Sequence, residues 1–282
     1  FNKMGQKAYP SFYPHELIEK NEIDFQNSSI FPLSGLSNSK IILCSEGGIW
    51  IDYDSDKYGF NNSKEVYDNQ IDIALIGDSY TEGVCVNQKD TISSKLNSIG
   101  LKSVSFGKSG NGPLIEFATF KEYVLPLKPK IVLWLYYEND LVELKRELRS
   151  SLLKKNINNI NFSQNLISKQ NQINLVLEEY IGKKILESQI IKKNKKNSFN
   201  PLSRNITNII KLFNLRSLFK LNPGFDSEDI IAKKFIEIID TTDQLISDWN
   251  GKLYFVYLPA YSKYSVGKDF GYYNSIIHII KK

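Results

Sequence analysis

The alternation of strand-like and helical segments is the feature that most constrains how this chain folds. Ile73–Gly77, Ser103–Phe106 and Ile131–Tyr137 have the pattern of buried strands, and each is followed by a segment with helical spacing of its apolar residues. A fourth such strand, Lys252–Pro259, follows a long helical pattern. Strands that alternate with helices form parallel sheets joined by right-handed crossovers. We therefore predict an α/β fold, in which a mostly parallel sheet lies between helices in a three-layer α/β/α sandwich.

The same pattern divides the chain into an N-terminal extension and a main domain. Residues 1–69 are rich in turn-forming residues, and Lys40–Cys44 and Ile49–Tyr53 predict a hairpin around two glycines. The main domain covers residues 70–282. Within it we expect a helical insertion at about 151–221, where no strand-like segment occurs.

Composition and charge limit the classes of function. Of the 282 residues, 41% are hydrophobic, which is typical of a globular protein. The net charge of +5 arises from 36 basic and 31 acidic residues, a mixed balance that does not predict a nucleic-acid partner. No apolar run reaches the roughly 18 residues that a membrane-spanning helix needs. Because the sequence starts at Phe1 rather than at methionine, a signal or anchor upstream stays open, and we favour an exported or membrane-associated protein.

Two features of the sequence leave alternatives open. Cys44 and Cys85 are either buried thiols or a disulfide pair. Lys192–Lys196 is a concentrated basic run within the expected insertion. It is either a solvated surface or a contact for anionic lipid head groups or an acidic glycan, and the lipid contact would place the protein at a membrane.

Small and polar residues follow the first three strands of the expected sheet. They are, in strand order, Gly77, Asp78 and Ser79, then Gly110, then Asn139. Ligands bind beyond the carboxyl ends of parallel strands, so we expect these residues to share one cleft. There the Ser79 hydroxyl would attack a carbonyl carbon, while the backbone N–H groups of Ser79 and Gly110 and the Asn139 amide donate hydrogen bonds to the developing oxyanion. This chemistry needs no metal ion and no organic cofactor.

Three segments that contain these residues resemble the sequence blocks of one enzyme family. "GDSYTEG", "GKSGNGP" and "YYEND" are similar to the first three blocks of the SGNH (GDSL-like) hydrolases of bacteria. The resemblance implies a flavodoxin-like sheet, with Ser79 as the nucleophile and with Gly110 and Asn139 completing the oxyanion hole. It also implies that Asp78, with Gly77 before it, orients the turn and is not the triad acid.

Two departures from the family pattern bear on the chemistry. Tyr137 stands where glycine is common in the third block. The fourth block, Asp-x-x-His, supplies the family's general base, and neither His15 nor His278 belongs to such a motif. His278 lies in an apolar helical segment and His15 in the extension, so we expect neither to be catalytic. We instead expect the fourth block beyond Lys282, and the alternative is that the base has been lost.

These observations lead to one expected function and one alternative. We expect a serine-dependent esterase or acyltransferase that forms an acyl-enzyme on Ser79. Its substrate would be an O-acyl carbohydrate or a lipid ester, with O-acetyl as the expected group. The alternative is a non-catalytic glycan-binding or scaffolding protein on the same fold. An Asp-x-x-His motif in the encoded sequence after Lys282 distinguishes the two.

Overall fold

Two β-sheets and the helices around them make up the part of the chain that the structure describes. The computed structural model describes residues 2–3, 6–19, 30–46, 48–197 and 228–259. The strands are β1 (Asn2–Lys3), β2 (Gln6–Pro10), β3 (Lys40–Glu46), β4 (Ile49–Asp54), β5 (Ile73–Gly77), β6 (Ser103–Ser105), β7 (Ile131–Tyr137) and β8 (Lys252–Leu258). The α-helices are α1 (Glu16–Glu19), α2 (Ser79–Glu82), α3 (Ile92–Ser98), α4 (Pro113–Thr119), α5 (Asp140–Glu147), α6 (Ser151–Asn158), α7 (Gln170–Asn197) and α8 (Glu228–Ser247). A π-helical turn, Phe120–Val124, follows α4 directly. Short 3-10 turns occur at Lys64–Tyr67, Gln88–Asp90, Leu125–Leu127 and Leu166–Lys169.

The main sheet contains four described strands, all parallel, in the order β6-β5-β7-β8. In chain order this is 2-1-3-4, as in doubly wound sheets of the flavodoxin type. The predicted α/β fold with a parallel sheet is therefore confirmed. The direction of winding reverses between β5 and β7, and such a switch point is where open α/β sheets bind ligands.

Alternate side chains along β5 and β7 pack on opposite faces of this sheet. Ile76 and Trp134 are fully buried in the larger core, together with Phe117 of α4. Leu75 packs on the other face, against Leu96 of α3. Strands that bury apolar side chains on both faces have a continuous apolar sequence rather than an alternating one. This is why these strands could be located from the sequence.

The N-terminal residues form a second, mixed sheet in the order β1-β2-β3-β4. Strands β3 and β4 pair antiparallel, which confirms the predicted hairpin. Cys44 on β3 and Cys85 after α2 form a disulfide, with a Cα–Cα distance of 5.5 Å. Of the two alternatives for the cysteines, the structure has the pair. This bond links the N-terminal sheet to the segment that follows β5.

A turn between the two sheets is organised by one buried carboxylate, that of Asp56. It accepts hydrogen bonds from the backbone N–H groups of Tyr58 (2.8 Å) and Phe60 (3.0 Å), and from the Asn62 amide (2.8 Å). The Asn62 amide in turn bonds to both the N–H and the carbonyl of Ser105 on β6, each at 2.8 Å. The turn thereby attaches the N-terminal sheet to the edge of the main sheet.

In the expected insertion, the described residues 151–197 are helical or irregular, and they contain no strand. The backbone of α7 includes Lys192–Lys196, whose side chains are not among those described. Residues 198–227 and the closing segment that contains His278 lie outside the described residues. None of the described helices has the length and apolar composition that crossing a membrane requires.

Candidate active site

The turn after β5 presents the Ser79 hydroxyl, and glycine and aspartate shape that turn. A Cβ on Gly77 would lie 2.2 Å from the Thr81 Oγ1 atom and 2.7 Å from the Leu135 carbonyl oxygen, so only glycine fits there. The buried Asp78 carboxylate accepts a hydrogen bond from the N–H of Tyr80 (3.1 Å) and one from the Ser79 hydroxyl (3.2 Å). Burial raises the pKa of Asp78 above its usual value. Asp78 therefore fixes both the start of α2 and the direction of the Ser79 hydroxyl.

The loop after β6 carries Gly110 in a conformation that favours glycine. Its φ angle is +73°, and a Cβ there would lie 2.2 Å from Cε1 and 2.3 Å from Nδ1 of the His15 ring. The Arg146 guanidinium donates a hydrogen bond of 2.7 Å to the Gly110 carbonyl. His15, which the sequence placed only in the extension, thus lies directly against a predicted site residue. No local pattern signals this contact, because the two residues are far apart in the chain.

A buried ion pair connects the Ser79 segment to the Gly110 loop. Glu82 is the last residue of α2, and its carboxylate forms an ion pair with Lys108, both side chains being completely buried. The same carboxylate accepts hydrogen bonds from the N–H (2.8 Å) and the hydroxyl (2.6 Å) of Ser109. The sequence shows both motifs but does not indicate this pairing, since charged residues are usually exposed.

Asn139 lies two residues after the end of β7 and immediately before α5, and it is exposed to solvent. Asp140 beside it is completely buried and accepts a hydrogen bond from the N–H of Tyr137 at 2.9 Å, which fixes this turn. A Cβ on Gly112 would lie 2.7 Å from the Cβ of Glu143 in α5. The loop that carries Gly110 therefore packs closely on the helix that Asn139 precedes.

Three nitrogen donors at this edge of the sheet have no protein acceptor among the residues that the structure describes. They are the backbone N of Ser79, the backbone N of Gly110 and the amide Nδ2 of Asn139. Within the described ranges of the chain, none of the three donates a hydrogen bond. Because β5 lies between β6 and β7, Ser79 follows the strand in the middle, with the other two donors following the strands on either side. The contacts of Ser109 with Glu82 and of Gly112 with Glu143 join the segments that carry these donors.

Two buried carboxylates hold elements next to these donors. Glu147 accepts hydrogen bonds from the N–H groups of Gly112 (2.6 Å), Leu114 (2.9 Å) and Ile115 (3.2 Å), at the start of α4. Burial raises the pKa of Glu147 to about 8, although these three donors act in the opposite direction. Glu116 accepts a bond of 2.6 Å from the Trp134 indole, and burial raises its pKa well above the usual range.

Two cavities lie away from the strand ends. One, of about 230 Å³, lies between the N-terminal segment and α7 and is lined in part by Phe12, Glu16 and Lys184. The other, of about 520 Å³, lies beside α3 and is lined mainly by polar side chains. Neither includes a predicted site residue among its lining residues.

Among the residues that the structure describes, no group of three or more His, Cys, Asp or Glu side chains is arranged to hold a metal ion. The chain was also compared with known proteins. Neither a protein-family model, nor a curated protein, nor a solved structure matches it.

Proposed function

We propose that the protein is a serine-dependent esterase or acyltransferase of the SGNH (GDSL-like) type, with the three-layer fold of those enzymes. Its substrate is an O-acyl carbohydrate or lipid ester, with an O-acetyl group as the expected acyl group. The observation that supports this most is the set of donors without acceptors on Ser79, Gly110 and Asn139. Half-buried N–H groups such as those of Ser79 and Gly110 are normally paired, so donors with no protein acceptor at these strand ends suit an oxyanion that forms only during reaction, and the exposed Asn139 amide is open to the same ligand.

In the proposed reaction, the Ser79 oxygen attacks the ester carbonyl carbon, and a base removes the hydroxyl proton. The carbonyl oxygen gains the negative charge and accepts hydrogen bonds from the three donors. Collapse of this intermediate breaks the bond to the alcohol, which leaves with the proton, and the acyl group stays on Ser79. Water completes a hydrolysis, and a second alcohol completes an acyl transfer. In the family that the chain resembles, the histidine of an Asp-x-x-His block takes the role of this base.

A non-catalytic glycan-binding or scaffolding protein is the second candidate, and one observation favours it. In the described part of the chain, the Ser79 hydroxyl has Asp78 as its hydrogen-bond partner, not an imidazole. His15, the described histidine, packs on Gly110. Without a base, a serine hydroxyl is a poor nucleophile near neutral pH.

We also propose that the protein works outside the reducing cytosol or at a membrane surface. The Cys44–Cys85 disulfide supports this, because disulfides persist mainly in oxidising compartments.

The decisive experiment is labelling of the full-length protein with a fluorophosphonate, followed by mass spectrometry of the modified peptide. We expect a single adduct on Ser79, loss of that adduct in Ser79→Ala, and release of acetate from acetyl esters by the wild type alone. Absence of both labelling and acetate release, in a protein that includes an Asp-x-x-His block, would reject the enzyme in favour of the binding protein.

A further inference from the structure

Two tyrosine rings lie beside the candidate active site and contact each other. Tyr80 follows Ser79 directly, and Tyr137 ends β7, two residues before Asn139. Their ring centroids are 5.0 Å apart, and their planes meet at 43°. Tyr80 is 49% exposed, so part of its ring is accessible to a ligand.

The register of the main sheet explains why the two rings meet. Gly77, the last residue of β5, pairs with Leu135 on β7, so the residues that follow Gly77 lie beside the last residues of β7. Tyr136 is completely buried in the core, and Tyr137, the next residue, therefore points to the opposite face. Tyr137 is also the position at which the chain departs from the glycine that is common in the third block. A large ring thus stands where the resembled family commonly has no side chain, next to the proposed oxyanion donor.

We propose that Tyr80 and Tyr137 form a subsite for the sugar ring of an O-acyl carbohydrate, an inference that rests on the proposed function and selects the carbohydrate over the lipid ester. The ring face of a tyrosine is apolar and its edge ends in a hydroxyl. A pyranose has the same division, with C–H groups on one face and hydroxyl groups around its rim. Stacking on the exposed tyrosine places that rim near the phenol groups and the Asn139 amide, while the acyl group reaches Ser79.

A long acyl chain fits this surface less well. A lipid chain needs a continuous apolar groove along its length, whereas this patch consists of two rings bordered by polar groups. The exposed Asn139 and the half-buried Ser79 adjoin the pair in sequence. The patch therefore matches one ring-shaped, hydroxyl-bearing alcohol.

The test compares two acetyl esters in the full-length protein: an acetylated methyl pyranoside, which has the sugar ring, and ethyl acetate, which lacks it. Tyr80→Ala and Tyr137→Ala should each raise KM for the pyranoside by about 10-fold, the scale of one aromatic contact. Neither should change kcat/KM for ethyl acetate by more than about twofold. The matched control is Tyr254→Ala, since Tyr254 is similarly exposed at 48% but lies along β8, where it pairs with Leu133 and not with a residue at the carboxyl ends of the strands. This variant should change neither KM for the pyranoside nor kcat/KM for ethyl acetate.

Equal losses for both esters, or no loss for the pyranoside, would overturn the subsite. So would a KM effect confined to long-chain acyl esters, which would assign the rings to lipid. If Tyr137→Ala does not fold, the exposed Tyr80→Ala decides alone. Calorimetric titration of Ser79→Ala with the acetylated pyranoside separates the two proposals. If binding depends on Tyr80 while the wild type hydrolyses neither ester, the subsite is supported and the enzyme is rejected. If the wild type hydrolyses the pyranoside and neither tyrosine variant changes that rate, the enzyme is supported and the subsite is rejected.

Discussion

The imidazole ring of His15 occupies the space that a side chain at position 110 would fill. Ring atoms Cε1 and Nδ1 lie 2.2 Å and 2.3 Å from the position of a Cβ on Gly110. The next residue, Glu16, forms an ion pair with Lys184 and accepts a hydrogen bond of 3.1 Å from the Tyr180 hydroxyl, both on α7. The N-terminal segment is thus fastened to α7 on one side and rests on the candidate active site on the other.

This contact predicts that Gly110→Ala is strongly destabilising. A left-handed φ costs a residue with a Cβ roughly 1–2 kcal/mol, and overpacking against the imidazole adds about 1–3 kcal/mol. Urea unfolding should therefore give a loss of about 2–5 kcal/mol, and turnover of any acetyl ester should fall because the Gly110 N–H is displaced.

His15→Ala provides the control for the steric part of that loss. In the double variant with Gly110→Ala the new methyl group has room, so the two destabilisations should fall short of additive by about 1–3 kcal/mol. Strictly additive losses would mean that His15 does not lie on Gly110 in solution.

The buried Glu82–Lys108 pair gives a second prediction. Glu82→Gln leaves a buried ammonium without its counter-charge, which typically costs about 3–5 kcal/mol of unfolding free energy. The double variant Glu82→Gln/Lys108→Met removes both charges and should recover part of this loss. It should still react more slowly with a fluorophosphonate at Ser79, because Ser109 and the Gly110 loop lose the carboxylate that holds them.

A matched control exists in Glu122, another buried carboxylate that holds a loop. It accepts hydrogen bonds from Ser163, Gln164 and Leu166, away from the strand ends that carry the candidate site. Glu122→Gln should lower stability without slowing the labelling of Ser79. If both variants slow labelling equally, the effect of Glu82 is one of general stability.

These relationships also mark what the sequence could predict. Strands β5 and β7 were located to within a residue because strands buried on both faces have a continuous apolar composition, and β8 was located from a similar apolar run although one of its faces is partly exposed. The hairpin of β3 and β4 was located from its two glycines. In each case the pattern that predicts the element lies within the residues that form it.

The contacts around Ser79 have no such local signal. The pairing of Glu82 with Lys108 joins two motifs through space, and the fact that both charges are buried depends on the whole fold. The position of His15 depends on how the N-terminal segment crosses the sheet edge. Local sequence patterns therefore identify the strand-end residues but not the side chains that support them.

Glu147 predicts a pH dependence of stability. Its pKa is about 8 in the folded protein, against an ordinary value of 4.5, so the folded state holds this proton more tightly. The stabilisation is complete below pH 4.5 and is lost as the pH rises through about 8. Glu147→Gln resembles the protonated side chain and does not ionise. Urea unfolding at pH 5 and pH 8.5 should show the variant close to the wild type at the lower pH and more stable than it at the higher pH, whereas a constant difference would contradict the raised pKa.

The disulfide between Cys44 and Cys85 predicts a dependence on redox conditions. The bond closes a loop between residues 41 positions apart, and the chain-entropy relation gives about 4 kcal/mol for a loop of that length. Cys44→Ser/Cys85→Ser should therefore unfold at a lower urea concentration than the oxidised wild type, and a phosphine reductant should bring the wild type to the level of the variant. The reductant should leave the variant itself unchanged, which separates loss of this bond from other effects of the reagent. Peptide mapping under non-reducing conditions checks the pairing directly, since a Cys44–Cys85 peptide should appear and free thiols should not. Equal stability of the oxidised wild type and the variant would mean that the two sheets are held together without this bond, chiefly by the contacts of Asp56 and Asn62.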